Sequence, residues 1–261
     1  MLTIDLKGKV ALVLGGSRGI GGAITKTLCE AGALTIFTHK GNPKYRDRVE
    51  TLLNQVSNGG GIAKAKILDA RDAAKTTSLV NQIVKEKGKI DILLCNVGQN
   101  VARAAEELTD AQWEDGIEIT LSTAFYGVRA VLPHMLKAQY GRIILIGSSA
   151  VYDGGGGAID YAAAKSGLTG MMKYLVKNYA RKGILTNVIH PCVIDTDLLR
   201  ERYFDEEKRR QLAGQVPVGR LGKPEEIAGL VAYLVSSWGD FICGQSILVD
   251  GGRTLFSGPG G

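Results

Sequence analysis

The chain has 261 residues, a formal charge of +6 and 45% hydrophobic residues, enough for one large domain with a substantial core and not the composition of a disordered chain. No apolar run reaches a bilayer span and the amino-terminal MLTIDLKGKV has no apolar signal core, which predicts a cytoplasmic protein without a membrane partner. Basic residues alternate with acids, as in RERYFDEEKRR, a pattern of solvated helix faces rather than of a nucleic-acid surface.

Residues 9–14, KVALVL, read as a short strand, followed at once by GGSRGIGG and a helical pattern through AITKTLCEAG. Gly15, Gly19 and Gly21 let the backbone approach a pyrophosphate while the helix N-terminus points free N–H groups at it. A glycine-rich connection without a ligand is the plainer alternative. The next run, ALTIFT, is a predicted second strand, whose end in a dinucleotide-binding fold meets the adenosine ribose. An acid there would accept the ribose 2′-hydroxyl. This chain has His39 and Lys40 instead, with Arg18 in the glycine loop, and so favours NADP(H) over NAD(H). Otherwise His39 and Lys40 merely begin the polar loop KGNPKYRDR.

A helix over about 45–57, the turn SNGGG and the strand IAKAKIL lead to Asp69, placed to bond an adenine amino group or to cap the helix opened by ARDAAKTT. The strand IDILLCNVG ends at Asn96 and Gly98, where the chain would pass close to a cofactor again. The order βαβαβαβ predicts an α/β fold with a parallel, doubly wound sheet. A helical pattern covers 106–139 with Pro133 inside it, and RIILIG is a fifth strand ending at Ser148. A helix beginning near Ala158 puts Tyr161 and Lys165 on one face, one turn apart. The strand ILTNVIHP, a long polar stretch at 197–216, the helix PEEIAGLVAYLVSS and the strand QSILVDGG complete the chain. Stretches like 197–216 often act as lids, and the tail SGPGG is expected to be loose.

Chemistry concentrates in 148–165, SSAVYDGGGGAIDYAAAK, with a hydroxyl, a phenol and an ammonium. Together they suit carbonyl reduction. Acid–base work by tyrosine near neutrality needs a fall of roughly 3 units from its usual ~10, which positive charge on Lys165 favours. Ser148 would hydrogen-bond the substrate oxygen. The alternative is an ordinary amphipathic helix after a strand. Cys29, Cys95, Cys192 and Cys243 form no CxxC pair, and His39, His134 and His190 make no ligand spacing, so no metal is expected.

With GGSRGIG, Asp69, CNVG, Ser148, YAAAK, NVIHP with Thr196, GRLGKPEEIA and LVDGG in this order, the chain resembles the short-chain dehydrogenase/reductase family in its single-domain form. The resemblance implies a Rossmann-like fold with a seven-stranded parallel sheet in one domain over 1–261, a nicotinamide cofactor, and a homotetramer or homodimer. Ser148, Tyr161 and Lys165 would be the catalytic serine, tyrosine and lysine. Cofactor contacts are expected from Gly15, Ser17, Arg18, Gly19, Ile20, Gly21, His39, Lys40, Asp69, Ala70, Asn96, Gly98, Tyr161, Lys165 and Pro191, with Ile194 and Thr196 at the nicotinamide carboxamide. Substrate contacts fall to Gln99, Ser148, Ser149, Asp153, Tyr161 and Cys192. Asn100 and Tyr152 belong to the same wall, and Leu198, Leu199, Tyr203 and Phe204 to the lid.

Four departures qualify this. Leu14 stands where the family has a hydroxyl that ties the glycine loop to the neighbouring strand, and CNVG replaces NNAG. Cys192 replaces the glycine after Pro191. Thr120 replaces the asparagine that holds a proton-relay water in the family, and is entered here as the fourth catalytic position, impaired or rewired. The expected activity is NADP(H)-dependent interconversion of a small-molecule ketone and secondary alcohol, with Tyr161 as general acid and base. The rival is a non-catalytic NADPH-binding protein of the same fold. Keto-sugars and 3-oxoacyl thioesters are candidate substrates, and the weakly basic KAQYGR argues against a carrier-protein thioester.

Overall fold

A computed structural model of the chain describes residues 3–255; the tail SGPGG lies outside them. Seven described strands form one parallel sheet, β1 (Val10–Leu14), β2 (Leu34–His39), β3 (Ile62–Ile67), β4 (Ile92–Cys95), β5 (Gly141–Ile146), β6 (Ile184–Pro191) and β7 (Ser246–Val249). Their spatial order is β3-β2-β1-β4-β5-β6-β7. The chain therefore winds one way from β1 to β3 and the other way from β4 to β7.

Helices cover both faces, so the central strands are apolar on both sides, as parallel sheets require. Leu12 and Leu14 of β1, Leu93 and Cys95 of β4, and Ile143 and Leu145 of β5 face one core. That core packs against α3 (Ala73–Lys87), α5 (Thr123–Ala138) and α7 (Ile159–Tyr179). The alternate residues Ala11, Val13, Ile92, Leu94, Ile144 and Ile146 face a second core under α1 (Gly19–Glu30), α2 (Arg46–Asn58) and α10 (Pro224–Val235). This is the two-residue period of a strand written into buried positions.

Three local expectations change. Asp69 does not cap the helix after β3; Asp72 does, its carboxylate accepting the Lys75 N–H at 2.8 Å. The helix expected over 106–139 is divided into a 3-10 turn at Ala105–Glu107, α4 (Asp110–Ile117), a π turn at Glu118–Ser122 and α5. Thr109 and Gln112 start α4 with a reciprocal capping box. The π turn widens the helix at Thr120, a distortion that often accompanies functional sites. Pro133 lies inside α5 without ending it. The polar stretch after β6 folds into α8 (Asp197–Arg202) and α9 (Glu206–Gly214), and α6 (Ala150–Asp153) follows β5. Among the described residues no helix is long and apolar enough to cross a membrane.

Asp91, just before β4, fastens β1 to β4 at the end remote from the glycine loop. Its buried carboxylate accepts the Val10 N–H at 2.8 Å and pairs with Lys89 at 3.1 Å. Asp91→Ala would leave that N–H without its partner, which costs about 1–3 kcal/mol. Urea denaturation should show the midpoint falling with the m-value unchanged.

Candidate active site

The sheet order reverses between β1 and β4, and the loops leaving their carboxyl ends diverge there to open a crevice. The glycine loop forms one wall. Its Gly15 N–H donates to Thr38 Oγ1 at 3.1 Å and its Gly16 N–H to the Thr38 carbonyl at 3.1 Å. Thr25 donates to the carbonyls of Gly16 and Gly21 at 2.9 and 3.0 Å, and Asn96 Nδ2 to the Gly15 carbonyl at 2.9 Å. The hydroxyl missing at Leu14 is thus supplied from β2 and α1. Leu14 itself is buried in the core. Asn96 supports the loop rather than standing free in the crevice.

Ser148 leaves β5 on a backbone held by His190 of β6, whose Nδ1 lies 3.2 Å from the Ser148 nitrogen and 3.1 Å from its carbonyl oxygen. Nε2 of the same ring is 2.7 Å from Ser246 Oγ. Burial lowers the His190 pKa, so the ring is neutral and one tautomer makes one of the two Ser148 bonds at a time. Ser148 Oγ accepts the Ala150 N–H at 3.2 Å.

Tyr161 and Lys165 project from the first turns of α7. Lys165 is buried, and its Nζ donates to the Ile146 carbonyl at 2.6 Å while lying 5.7 Å from the Tyr161 ring centroid. Burial pulls this ammonium from its ordinary 10.5 down to about 8, with Cys95 opposing. Burial also pushes the Tyr161 phenol up, and the group that pulls it back is the Ser148 side chain. The expectation that Lys165 governs the phenol gives way to desolvation of both groups. Gly98 lies between Lys165 and Thr120: a Cβ there would stand 3.2 Å from Lys165 Nζ and 3.7 Å from Thr120 Cγ2. Thr120 therefore presents its methyl to this gap, and its buried hydroxyl has no hydrogen-bond partner among the described residues.

At the expected ribose end, burial lowers the His39 pKa and its Nδ1 accepts the Gly41 N–H at 3.2 Å, so His39 is a neutral group near pH 7. Lys40 pairs with Asp69 at 3.5 Å. Asp69 is held mainly by the Arg71 guanidinium, which brings its carboxyl down to about 2. Arg18 stacks over Tyr45 at 4.1 Å from the ring centroid and remains the principal cation of the glycine loop. Ala70 is buried, and Ser17 and Ile20 are half-buried in the loop and the first turn of α1.

Pro191 at the end of β6 and Ile194 beyond it are buried, and Thr196 caps α8 by accepting the Leu199 N–H at 3.2 Å. Cys192 is half-buried with Arg253 Nη1 3.4 Å from its sulfur. Of the expected substrate wall, Ser149 is buried and ties β5 to β6 through its N–H and the Pro191 carbonyl at 2.9 Å. Asp153 accepts the Gly155 N–H at 2.7 Å, and Tyr152 reaches Ser246 Oγ at 3.3 Å. Gln99 lines a polar cavity of about 20 Å³ with Arg103, Gln112 and Asp160. Leu198 and Phe204 are exposed on the stretch expected to be a lid. His190, Thr38, Thr25 and Arg253 were not among the expected site residues. The bonds of His190, Thr38 and Arg253 join distant parts of the chain, 42 residues apart for His190 and Ser148, and no local spacing announces them; those of Thr25 stay within nine residues.

A family model described as enoyl-(acyl carrier protein) reductase matches residues 15–254. The 3-oxoacyl-[acyl-carrier-protein] reductase FabG of Escherichia coli is 38% identical over 252 residues, covering 97% of this chain and 100% of the relative. The protein of the same name from Pseudomonas aeruginosa is 36% identical with the same coverage. Among solved structures, a short-chain dehydrogenase/reductase from Serratia marcescens is similar with a TM-score of 0.87 at 36% identity, over 96% of this chain and 99% of that one. A dehydrogenase/reductase from Sinorhizobium meliloti matches with a TM-score of 0.87 at 33% identity, over 96% and 97%.

The buried ammonium has a measurable pH signature. Folded Lys165 releases its proton near pH 8 while an unfolded lysine keeps it to about 10.5, so the unfolded state binds more protons between those values. This group's contribution to stability rises across that window, by about 3 kcal/mol. Lys165→Met should lack that increment. Denaturation at pH 7 and pH 10 compares the two proteins, and parallel curves would contradict a depressed Lys165.

Proposed function

From the membership of this chain in the short-chain dehydrogenase/reductase family, we propose that it is an NADP(H)-dependent ketoreductase, interconverting a ketone and a secondary alcohol with Tyr161 as general acid and base. The observation that carries this reading is the convergence of Ser148, from the segment after β5, on Tyr161 and Lys165 of α7: the Ser148 side chain hydrogen-bonds the Tyr161 phenol, and Lys165 Nζ lies 5.7 Å from the Tyr161 ring centroid.

The residues present fit a dinucleotide. A Cβ at Gly21 would stand 2.1 Å from the Gly15 carbonyl, so only glycine allows α1 to start this close beneath the loop, with its N-terminus open to an anion. Gly15 and Gly19 hold φ of +76° and +53°, a region that favours glycine. Arg18 gives the loop a guanidinium suited to a 2′-phosphate. Bound NADPH would supply the hydride taken up by the carbonyl carbon.

The chain supplies the remaining chemistry. Ser148 donates a hydrogen bond to the substrate oxygen, and Tyr161 transfers its phenolic proton there as the C=O double bond gives way to new C–H and O–H bonds. The neutral phenol is the right form for this direction, and the burial that raises its pKa keeps it protonated. Lys165 holds a positive charge near the phenolate left behind, and a proton from water restores the phenol. In oxidation every step reverses. Residues 197–216 act as a lid over the substrate end, with Leu198 and Phe204 as its apolar face.

The similarity to relatives named 3-oxoacyl-[acyl-carrier-protein] reductase supports trying 3-oxoacyl thioesters first, ahead of diketones and keto-sugars. A second reading, an NADPH-binding protein without turnover, rests on Thr120, whose hydroxyl makes no hydrogen bond among the described residues.

The test is NADPH consumption over that panel, with NADH and Tyr161→Phe in parallel. General acid catalysis contributes roughly 10² to 10⁴ in rate, so Tyr161→Phe should lose at least about 100-fold in kcat while keeping its affinity for NADPH in a fluorescence titration. Near-normal turnover in that variant would remove Tyr161 from the mechanism. Thr120→Asn should raise kcat if the proton path limits turnover; an unchanged kcat would show that Thr120 does not limit it.

A further inference from the structure

Helix α8 turns two carboxylates toward the adenosine end of the crevice. Glu201 lies 3.6 Å from Arg18 Nη1 and 3.3 Å from Lys44 Nζ, and accepts from the Tyr45 hydroxyl at 3.5 Å. Asp197 pairs with Arg48. The three cations also share one aromatic ring: Arg18, Lys44 and Arg48 lie 4.1, 5.3 and 5.6 Å from the Tyr45 ring centroid. Arg18 comes from the glycine loop, whereas Lys44, Tyr45 and Arg48 follow β2. The cluster therefore stands where those two segments converge, at the place where a ribose and its 2′-substituent are read.

Such a cluster suits a phosphate monoester dianion, yet Glu201 already engages two of its three cations. A dianion contacting Arg18 would meet a like charge on the same guanidinium. Arg18 and Glu201 keep 32% and 34% of their side-chain surface, and Arg18 Nη1 makes no hydrogen bond among the described residues, so the pair is a loose ionic contact and its rearrangement is inexpensive. The same contact fastens the first helix of the 197–216 stretch to the cofactor end of the crevice.

We propose that Glu201 is a specificity-determining residue, an internal anion that competes with the cofactor 2′-phosphate for Arg18 and Lys44. It narrows the preference for NADP(H) over NAD(H), and phosphate binding loosens α8. This inference rests on the dinucleotide reading above. His39 is neutral and Lys40 has its own carboxylate in Asp69, so Glu201 bears on Arg18 and Lys44.

The experiment titrates the full chain with 2′,5′-ADP and with 5′-AMP, which differ by the 2′-phosphate alone, using calorimetry. It compares the wild type, Glu201→Gln and, as a surface-charge control, Glu206→Gln on α9. Glu201→Gln should tighten 2′,5′-ADP about fivefold, the scale of an exposed ion pair, and leave 5′-AMP unchanged; Glu206→Gln should change neither. In the wild type, amide exchange at 197–202 should quicken with 2′,5′-ADP and not with 5′-AMP. If Glu201→Gln leaves 2′,5′-ADP unchanged, weakens it, or tightens both nucleotides equally, Glu201 does not compete with the phosphate and the inference fails alone. If the wild type binds 5′-AMP as tightly as 2′,5′-ADP, or binds neither, the NADP(H) reading fails and takes the inference with it.

Discussion

Lys165 carries its ammonium into a space that excludes water, and the Ile146 carbonyl receives it at 2.6 Å. A buried charge of this kind is costly unless partnered, and the partner is a main-chain oxygen at the end of β5. The sheet, not a loop, therefore sets where the ammonium sits. Tyr161, one turn earlier on the same helix, is placed by the same anchor. Gly98, just after β4, leaves room for it, since a Cβ there would stand 3.2 Å from Lys165 Nζ, a tight contact to which the ammonium would have to yield. One interaction thus joins β4, β5 and α7, and gives the active site the rigidity of the core beneath it.

The glycine loop shows the same dependence on the sheet in a different form. Its first turn is fastened by Thr38 from β2, Thr25 from α1 and Asn96, the residue after β4. Hydrogen bonds from three elements make the loop tolerant of Leu14, since no single hydroxyl has to hold it. Leu14 gains burial in exchange, inside the core shared with α5. Ser148 is handled similarly, with the neutral ring of His190 bridging it to Ser246 across β6. The reacting groups are few, and most of the polar side chains around them serve to hold backbone in place.

The charged end of the crevice follows another logic. Arg18, Lys44 and Arg48 gather on one tyrosine ring, and carboxylates from α8 answer them. These contacts are partly exposed and individually weak, in contrast to the buried bonds at the catalytic end. Strong, desolvated bonds hold Lys165 and Ser148, whereas weak, screened ones hold α8.

Much of this was legible in the residues themselves. The period of two in the strands, the glycine turn before α1 and the four-residue spacing of Tyr161 and Lys165 are local patterns, set by backbone geometry over a few residues. They determined the α/β class, the strand boundaries to within three residues, and the candidate reacting groups. The cap at Asp72, the π turn at Thr120 and the neutrality of His39 were not legible, because each depends on which neighbour wins a hydrogen bond or excludes water. Only the tertiary structure decided that Thr38 replaces the hydroxyl lost at Leu14, that His190 holds Ser148, and that Glu201 lies on Arg18. Those contacts join residues far apart in the chain, and hydrogen bonds and desolvation depend on distance in space, which sequence order does not record.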